Sequence, residues 1–181
     1  YQNEAYAKRY AAKIEKVALA EAANGGGETL TRAAAVNLYK LMAYKDEYEV
    51  ARLYTDGRFA AELAGTFKGG KAKVWLAPPI LAPKDKEGRP RKMAFGGWML
   101  DLAFPLMARL KGLRGGPLDV FGKTEERRME RGLITDYETT LDRLAGGLTP
   151  ERLPLAARIA AVPEHIRGYG HVKDASVVKA K

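Results

Sequence analysis

The chain has 181 residues, 46% of them apolar, and its 31 Lys and Arg against 22 Asp and Glu give a formal net charge of +9. That length suffices to bury a real core and predicts a single domain. The sequence has no Cys, which excludes disulfides, thiolate metal sites and iron–sulfur ligation within this segment.

No stretch approaches the roughly 18 consecutive apolar residues of a membrane span, and the N-terminus lacks the apolar core of a signal peptide. The expectation is a cytoplasmic chain with no membrane partner. It starts at Tyr1, inside the amphipathic run Tyr6, Tyr10, Ile14. That start predicts a piece of a longer protein.

In chain order, apolar positions three and four apart predict a first helix over residues 4–23. Leu19 lies off the stripe. Asn24-Gly25-Gly26-Gly27 ends the helix, because glycine supplies the positive φ of a helix terminus; the Lys-Ser/Thr of a phosphate-binding P-loop is missing. Thr31 is read as the cap of a second helix with Leu30, Ala34, Leu38, Leu41 and Met42 on one face. The segment Lys40–Tyr54 either continues that helix or starts a new one capped by Asp46, with Glu49 and Arg52 paired at i,i+3. Asp56-Gly57 is a turn before a short helix over 58–67.

Lys73–Ala77 is the best strand. Pro78-Pro79 follow, and a polar excursion over 83–92 returns to Met93-Ala94-Phe95, so a hairpin is expected over 72–95. Trp98–Leu110 reads as an apolar helix with Leu100, Phe104 and Met107 in the core, bent or divided at Pro105. A basic, Gly-rich connection over 112–122 leads to Thr124, which caps a helix with the stripe Met129, Leu133, Tyr137, Leu141, Leu144. Thr149-Pro150 restarts a helix that ends before Pro163. A turn through Arg167-Gly168-Tyr169-Gly170-His171 precedes a small, polar tail. The expected fold class is mainly α (α+β), a helical domain with one small β-hairpin.

Chemistry is sparse. His165 and His171 lie six apart across a Gly-x-Gly turn, not at the i,i+4 spacing of a zinc pair, and no Gly-x-Ser-x-Gly elbow serves a nucleophile. No catalytic residue and no metal site are assigned. Asp46, Glu47 and Glu49 beside Lys45 and Arg52 read as a structural ion-pair network. Tyr39, Tyr44, Tyr48 and Tyr54 suit a core or an interface, since tyrosine combines area with a polar tip. Arg109, Lys111, Arg114, Arg127 and Arg128 are the candidate contacts for an anion such as coenzyme A, if the fold gathers them. A free-standing basic nucleic-acid-binding module is the alternative reading of the +9 charge. No aromatic RNA-binding strand motif supports it, so nucleic acid is not the expected partner.

Six stretches, in order along the chain, carry a resemblance: Leu38–Tyr54; Leu76-Ala77-Pro78-Pro79; Phe95-Gly96-Gly97-Trp98-Met99; Ala108–Gly115; Glu126–Arg131; and Ile166–Lys173. Together they resemble the C-terminal domain of the long, fused bacterial indolepyruvate ferredoxin oxidoreductases, members of the 2-oxoacid:ferredoxin oxidoreductases. The resemblance implies a parent enzyme that oxidatively decarboxylates aryl 2-oxoacids to acyl-CoA. That enzyme uses thiamine diphosphate with Mg²⁺, iron–sulfur clusters and coenzyme A, and reduces ferredoxin. This segment has neither the Gly-Asp-Gly stretch of such a thiamine site nor any Cys, so it is expected to be an accessory, non-catalytic domain carrying no cofactor itself. Its expected partners are the N-terminal catalytic domains of the same chain and a second copy in a homodimer. The candidate interface residues are Tyr44, Lys45, Asp46, Tyr48, Arg52, Arg167, Tyr169, His171 and Lys173.

Overall fold

The computed structural model describes the chain except for residues 71, 77–81, 84, 85, 87, 89, 90, 169, 170 and 181. The fold is mainly α: among the described residues there are eight α-helices and one two-stranded antiparallel sheet. The chain divides into two compact units, one of Tyr1–Gln2 with Lys45–Arg127, the other of Asn3–Tyr44 with Arg128–Lys181.

Among the described residues of the second unit, the regular elements are all helices. Helix α1, Glu4–Ala23, opens on Asn3, whose side chain accepts the Tyr6 N–H. Helix α2, Thr29–Met42, packs on α1 and on α7, Leu153–Ala161. The long helix α6, Glu125–Gly146, contributes Ile134, Tyr137 and Leu141 to the same core as Val17, Leu30, Leu38 and Met42. Leu30, Ala34, Leu38 and Leu41 on α2 and Ile134, Tyr137 and Leu141 on α6 recur at three- and four-residue steps, the pattern that buries one face of a 3.6-residue spiral. Arg9 meets Glu138, and Lys13 and Lys16 meet Asp142, so α1 and α6 are also tied by charge at their solvent edge. Helix α8, His171–Ala180, buries Val177.

Capping at α2 differs from the expectation that Thr31 starts it. The helix begins at Thr29, behind Glu28 in a left-handed conformation with φ 70°. Its free N–H groups are satisfied by Glu21, whose carboxylate accepts from Leu30 N at 3.0 Å and from Thr31 N and Oγ1 at 2.7 Å. The three-glycine turn swings the end of α1 against the start of α2. Gly26 is needed there, because a Cβ on it would stand 2.3 Å from Glu21 Cγ.

In the other unit, α3, Glu47–Thr55, is a new helix capped by Asp46, which accepts the Glu49 N–H at 2.8 Å. Helix α4, Arg58–Thr66, follows. Strands β1, Val74–Leu76, and β2, Met93–Phe95, pair with Val74 opposite Phe95 and Leu76 opposite Met93. Val74 is buried while Trp75 and its partner Ala94 face outward, the period-two alternation of a one-sided hairpin. Much of the excursion between the strands, with Ala77, Pro78 and Pro79, lies outside the described residues.

The apolar segment after Trp98 is not one regular helix. Met99–Ala103 forms a π turn, closed by the Phe104 N–H on the Met99 carbonyl, and α5 runs from Phe104 to Arg109. Pro105 explains the change: it has no N–H for the Asp101 carbonyl and its ring collides with that carbonyl in a regular helix. Widening the preceding turn relieves both. Phe104 is buried with Ala51, Val74 and Met99, whereas Leu100 and Met107, read as core, are only half-buried. Tyr54 meets Phe59 edge-on and Phe104 at a tilt, with ring centroids 4.7 and 5.3 Å away.

Candidate functional site

The densest polar arrangement lies where α3 meets the Gly-rich connection that follows α5. Asp46, at the head of α3, holds Arg114 in a two-pronged ion pair: Nε donates to Oδ2, and Nη2 to Oδ1 at 2.7 Å. Both side chains are 3% exposed, so removing either would leave a buried charge without its counter-ion. The Arg114 guanidinium also lies 4.1 Å from the Tyr1 ring and 5.6 Å from the Tyr48 ring, where the negative faces of the rings favour it. Gln2 donates to the Arg114 carbonyl.

Asp119 organises the other side of the connection. It accepts from Gly115 N at 2.7 Å, Gly122 N at 2.9 Å and the Tyr48 hydroxyl at 3.2 Å. A Cβ on Gly122 would lie 2.1 Å from Asp119 Oδ2, so the glycine is a steric necessity. Burial, then the Asp119 charge and hydrogen bond, push the Tyr48 phenol up to about 12. Sequence reading passed over Asp119. The available signal was a lone acid three residues before a glycine in a basic connection, where a carboxylate gathers backbone N–H groups. Glu21 was missed for a related reason, since its partners appear only once the glycine turn folds back.

The candidate anion contacts differ in exposure and in what they already hold. Arg109 is exposed at the end of α5, and Lys111 is half-buried in the following 3-10 turn. Arg114 is spent on Asp46. Arg127 is buried 3.5 Å from Glu47, whose carboxyl is pushed up by burial against the opposing pull of Arg127. Arg128 is exposed in the first turns of α6. An anion would reach Arg114 and Arg127 only in competition with carboxylates already seated on them.

Of the candidate interface residues, Asp46 and Tyr48 belong to the buried network just described, while Arg52 pairs with Glu49 through two hydrogen bonds and approaches Asp56 at 3.5 Å. Lys45 is exposed. Tyr44 is buried in the helical core. The four tyrosines read together are therefore distributed: Tyr39 is exposed, edge-on to Tyr10, and Tyr54 lines the α5 core. Arg167 is exposed, its N–H donating to Ser176 Oγ, and Lys173 reaches Glu130. Tyr169 lies outside the described residues, as does the side chain of His171.

Two concavities are described by the residues around them. An apolar cleft of about 280 Å³ in the helical unit is lined by Leu133, Tyr137, Ile159, Ile166 and Val177, with Asp136 among its polar residues. A shallower one of about 540 Å³ lies beside Leu63, Phe67 and Gly70. Among the described residues, no group of three or more His, Asp or Glu is placed to hold a metal ion, and no helix is long and apolar enough to cross a membrane.

Large apolar side chains stand in solvent on the unit that carries the buried network. Trp98, Leu102, Leu106 and Leu110 are 59%, 70%, 56% and 41% exposed, and Trp75 and Leu118 are 64% and 70% exposed. No curated protein and no solved structure matches the chain. A family model matches residues 1–181, and the chain belongs to that family, DUF6537, a family of unknown function.

Proposed function

We propose that this chain is an accessory, non-catalytic domain of a cytoplasmic 2-oxoacid:ferredoxin oxidoreductase of the indolepyruvate type, and that its task is to dock on the catalytic domains of the longer enzyme. The enzyme class rests on the sequence resemblance. The docking role rests on one observation: the four-residue spacing of exposed Trp98, Leu102, Leu106 and Leu110. Apolar side chains repeated on one helical face and left in water are the usual mark of an interaction surface.

The polar residues fit the same role. Asp46, Arg114, Tyr48 and Asp119 hold α3 and the connection after α5 in one arrangement, so the face is presented on a braced support. In the parent enzyme, thiamine diphosphate, iron–sulfur clusters and coenzyme A would belong to other domains. Ferredoxin would be the electron acceptor, and homodimer assembly or covering of the substrate channel would follow from docking.

The test is indolepyruvate- and coenzyme-A-dependent dye reduction by the longer enzyme with and without residues 1–181. Loss of activity or assembly in a protein that otherwise stays folded is the expected result. Unchanged activity and unchanged assembly would overturn the docking role. Absence of any 2-oxoacid oxidation by the intact enzyme would overturn the enzyme class.

A further inference from the structure

Trp98, Leu102, Leu106 and Leu110 are each four residues apart across a segment that changes helical type. On a regular α-helix a four-residue repeat drifts steadily round the axis. The π turn over Met99–Ala103 is underwound relative to an α-helix, so it reverses part of that drift. The row therefore stays on one side from Trp98 to Leu110, and all four side chains are in solvent. The turn itself exists because of Pro105. The opposite side of the same segment supplies Met99 and Phe104 to the core, so the exposed row is a second apolar face that the unit's own packing does not need.

Charge along the sequence that contains this row is one-sided. Between Phe67 and Lys111 the sequence holds ten Lys and Arg (68, 71, 73, 84, 86, 89, 91, 92, 109, 111) and three Asp and Glu (85, 87, 101). Lys73, Arg91, Lys92 and Arg109 are exposed. The hairpin carrying the first three runs directly through Gly96-Gly97 into Trp98, whose ring lies 6.4 Å from that of Phe95. Aliphatic leucines in a row suit neither base stacking nor phosphate contact, so the composition favours a protein partner over nucleic acid.

Taking the docking role as given, we infer that the row Trp98, Leu102, Leu106, Leu110 is the docking element, and that it seats in an apolar groove with an acidic rim on the catalytic domains of the same enzyme. The apolar row supplies the contact and the exposed Lys and Arg of the flanking sequence select an acidic border.

The experiment is hydroxyl-radical footprinting of the full-length enzyme, reading oxidation of Trp98 in the wild type, in Leu102→Glu with Leu106→Glu, and in Leu102→Lys with Leu106→Lys. The expected result is strong protection of Trp98 in the wild type. The glutamate pair, repelled by the rim, should lose protection severalfold more than the lysine pair, while circular dichroism stays unchanged because both sites are exposed. Equal effects of the two pairs would overturn the acidic partner and leave the docking role standing. Protection that rises with enzyme concentration would identify a second copy instead. Protection that appears only with added RNA or anionic vesicles would identify those occupants; each of these outcomes overturns the inference. Trp98 oxidised in the folded wild type as fast as in denaturant would overturn both the inference and the docking observation beneath it.

Discussion

Glu21 is 2% exposed and still titrates below its ordinary value of 4.5. Burial alone would raise it. The hydrogen bonds from the Thr31 hydroxyl and from the N–H groups at the start of α2 outweigh that, since each favours the carboxylate. A carboxyl whose pKa is depressed by folding stabilises the fold above its unfolded pKa and loses that contribution as pH falls through the folded value. Glu21→Gln should therefore cost about 1–3 kcal/mol at neutral pH, the magnitude of a weakened buried acceptor. The gap between variant and wild type should close in acid. Urea midpoints of the two proteins from pH 7 down to about pH 3 check this.

Tyr48 works in the opposite direction. Its folded pKa is raised from 10.0 to about 12, so the neutral phenol is the form the fold accepts. Its contribution is complete below pH 10 and is lost as pH rises from there through about 12. Tyr48→Phe should cost about 1 kcal/mol at neutral pH by removing the hydrogen bond to Asp119. It should also flatten the alkaline fall in stability, seen as a smaller drop in urea midpoint between pH 9 and 11 than in the wild type.

At the scale of elements, Pro105 determines how the segment after β2 is wound. Pro105→Ala restores an N–H for the Asp101 carbonyl and removes the ring clash, so the π turn should revert to α-helix. We expect the melting temperature of the variant to rise by a few degrees, from up to about 1 kcal/mol of relieved strain. The exposed row would then be twisted. If the row docks as proposed, Trp98 in the longer protein should lose protection despite the higher stability. A stabilised protein with unchanged Trp98 protection would show that the winding is immaterial to docking. The caps at Asp46 and Thr124 were readable from sequence because their acceptors sit three residues before the N–H they bind, a distance that a local rule spans. The cap of α2 was not readable, because its acceptor is Glu21, nine residues before Leu30 and on another helix.

For the molecule as a whole, the approximate positions of most helices, the hairpin and the mainly helical class were legible in periodicity and in Gly and Pro punctuation, because those signals act within a turn or two of the chain. The sites were less legible. Five basic residues were candidate anion contacts if the fold gathered them, yet Arg114 and Arg127 are paired to Asp46 and Glu47, 68 and 80 positions earlier. Four tyrosines within sixteen positions looked like one group, yet Tyr39 is in solvent, Tyr44 is in the helical core, Tyr48 is in the buried polar network and Tyr54 packs half-buried against Phe104. The sequence by itself determined which segments are helix, which faces are apolar, and that no cysteine chemistry is housed here. Only the tertiary structure decided which apolar face is spent inside and which is left in solvent. It also decided which charges are neutralised by folding, because burial and pairing depend on contacts between residues far apart in the chain, and a local pattern cannot encode those.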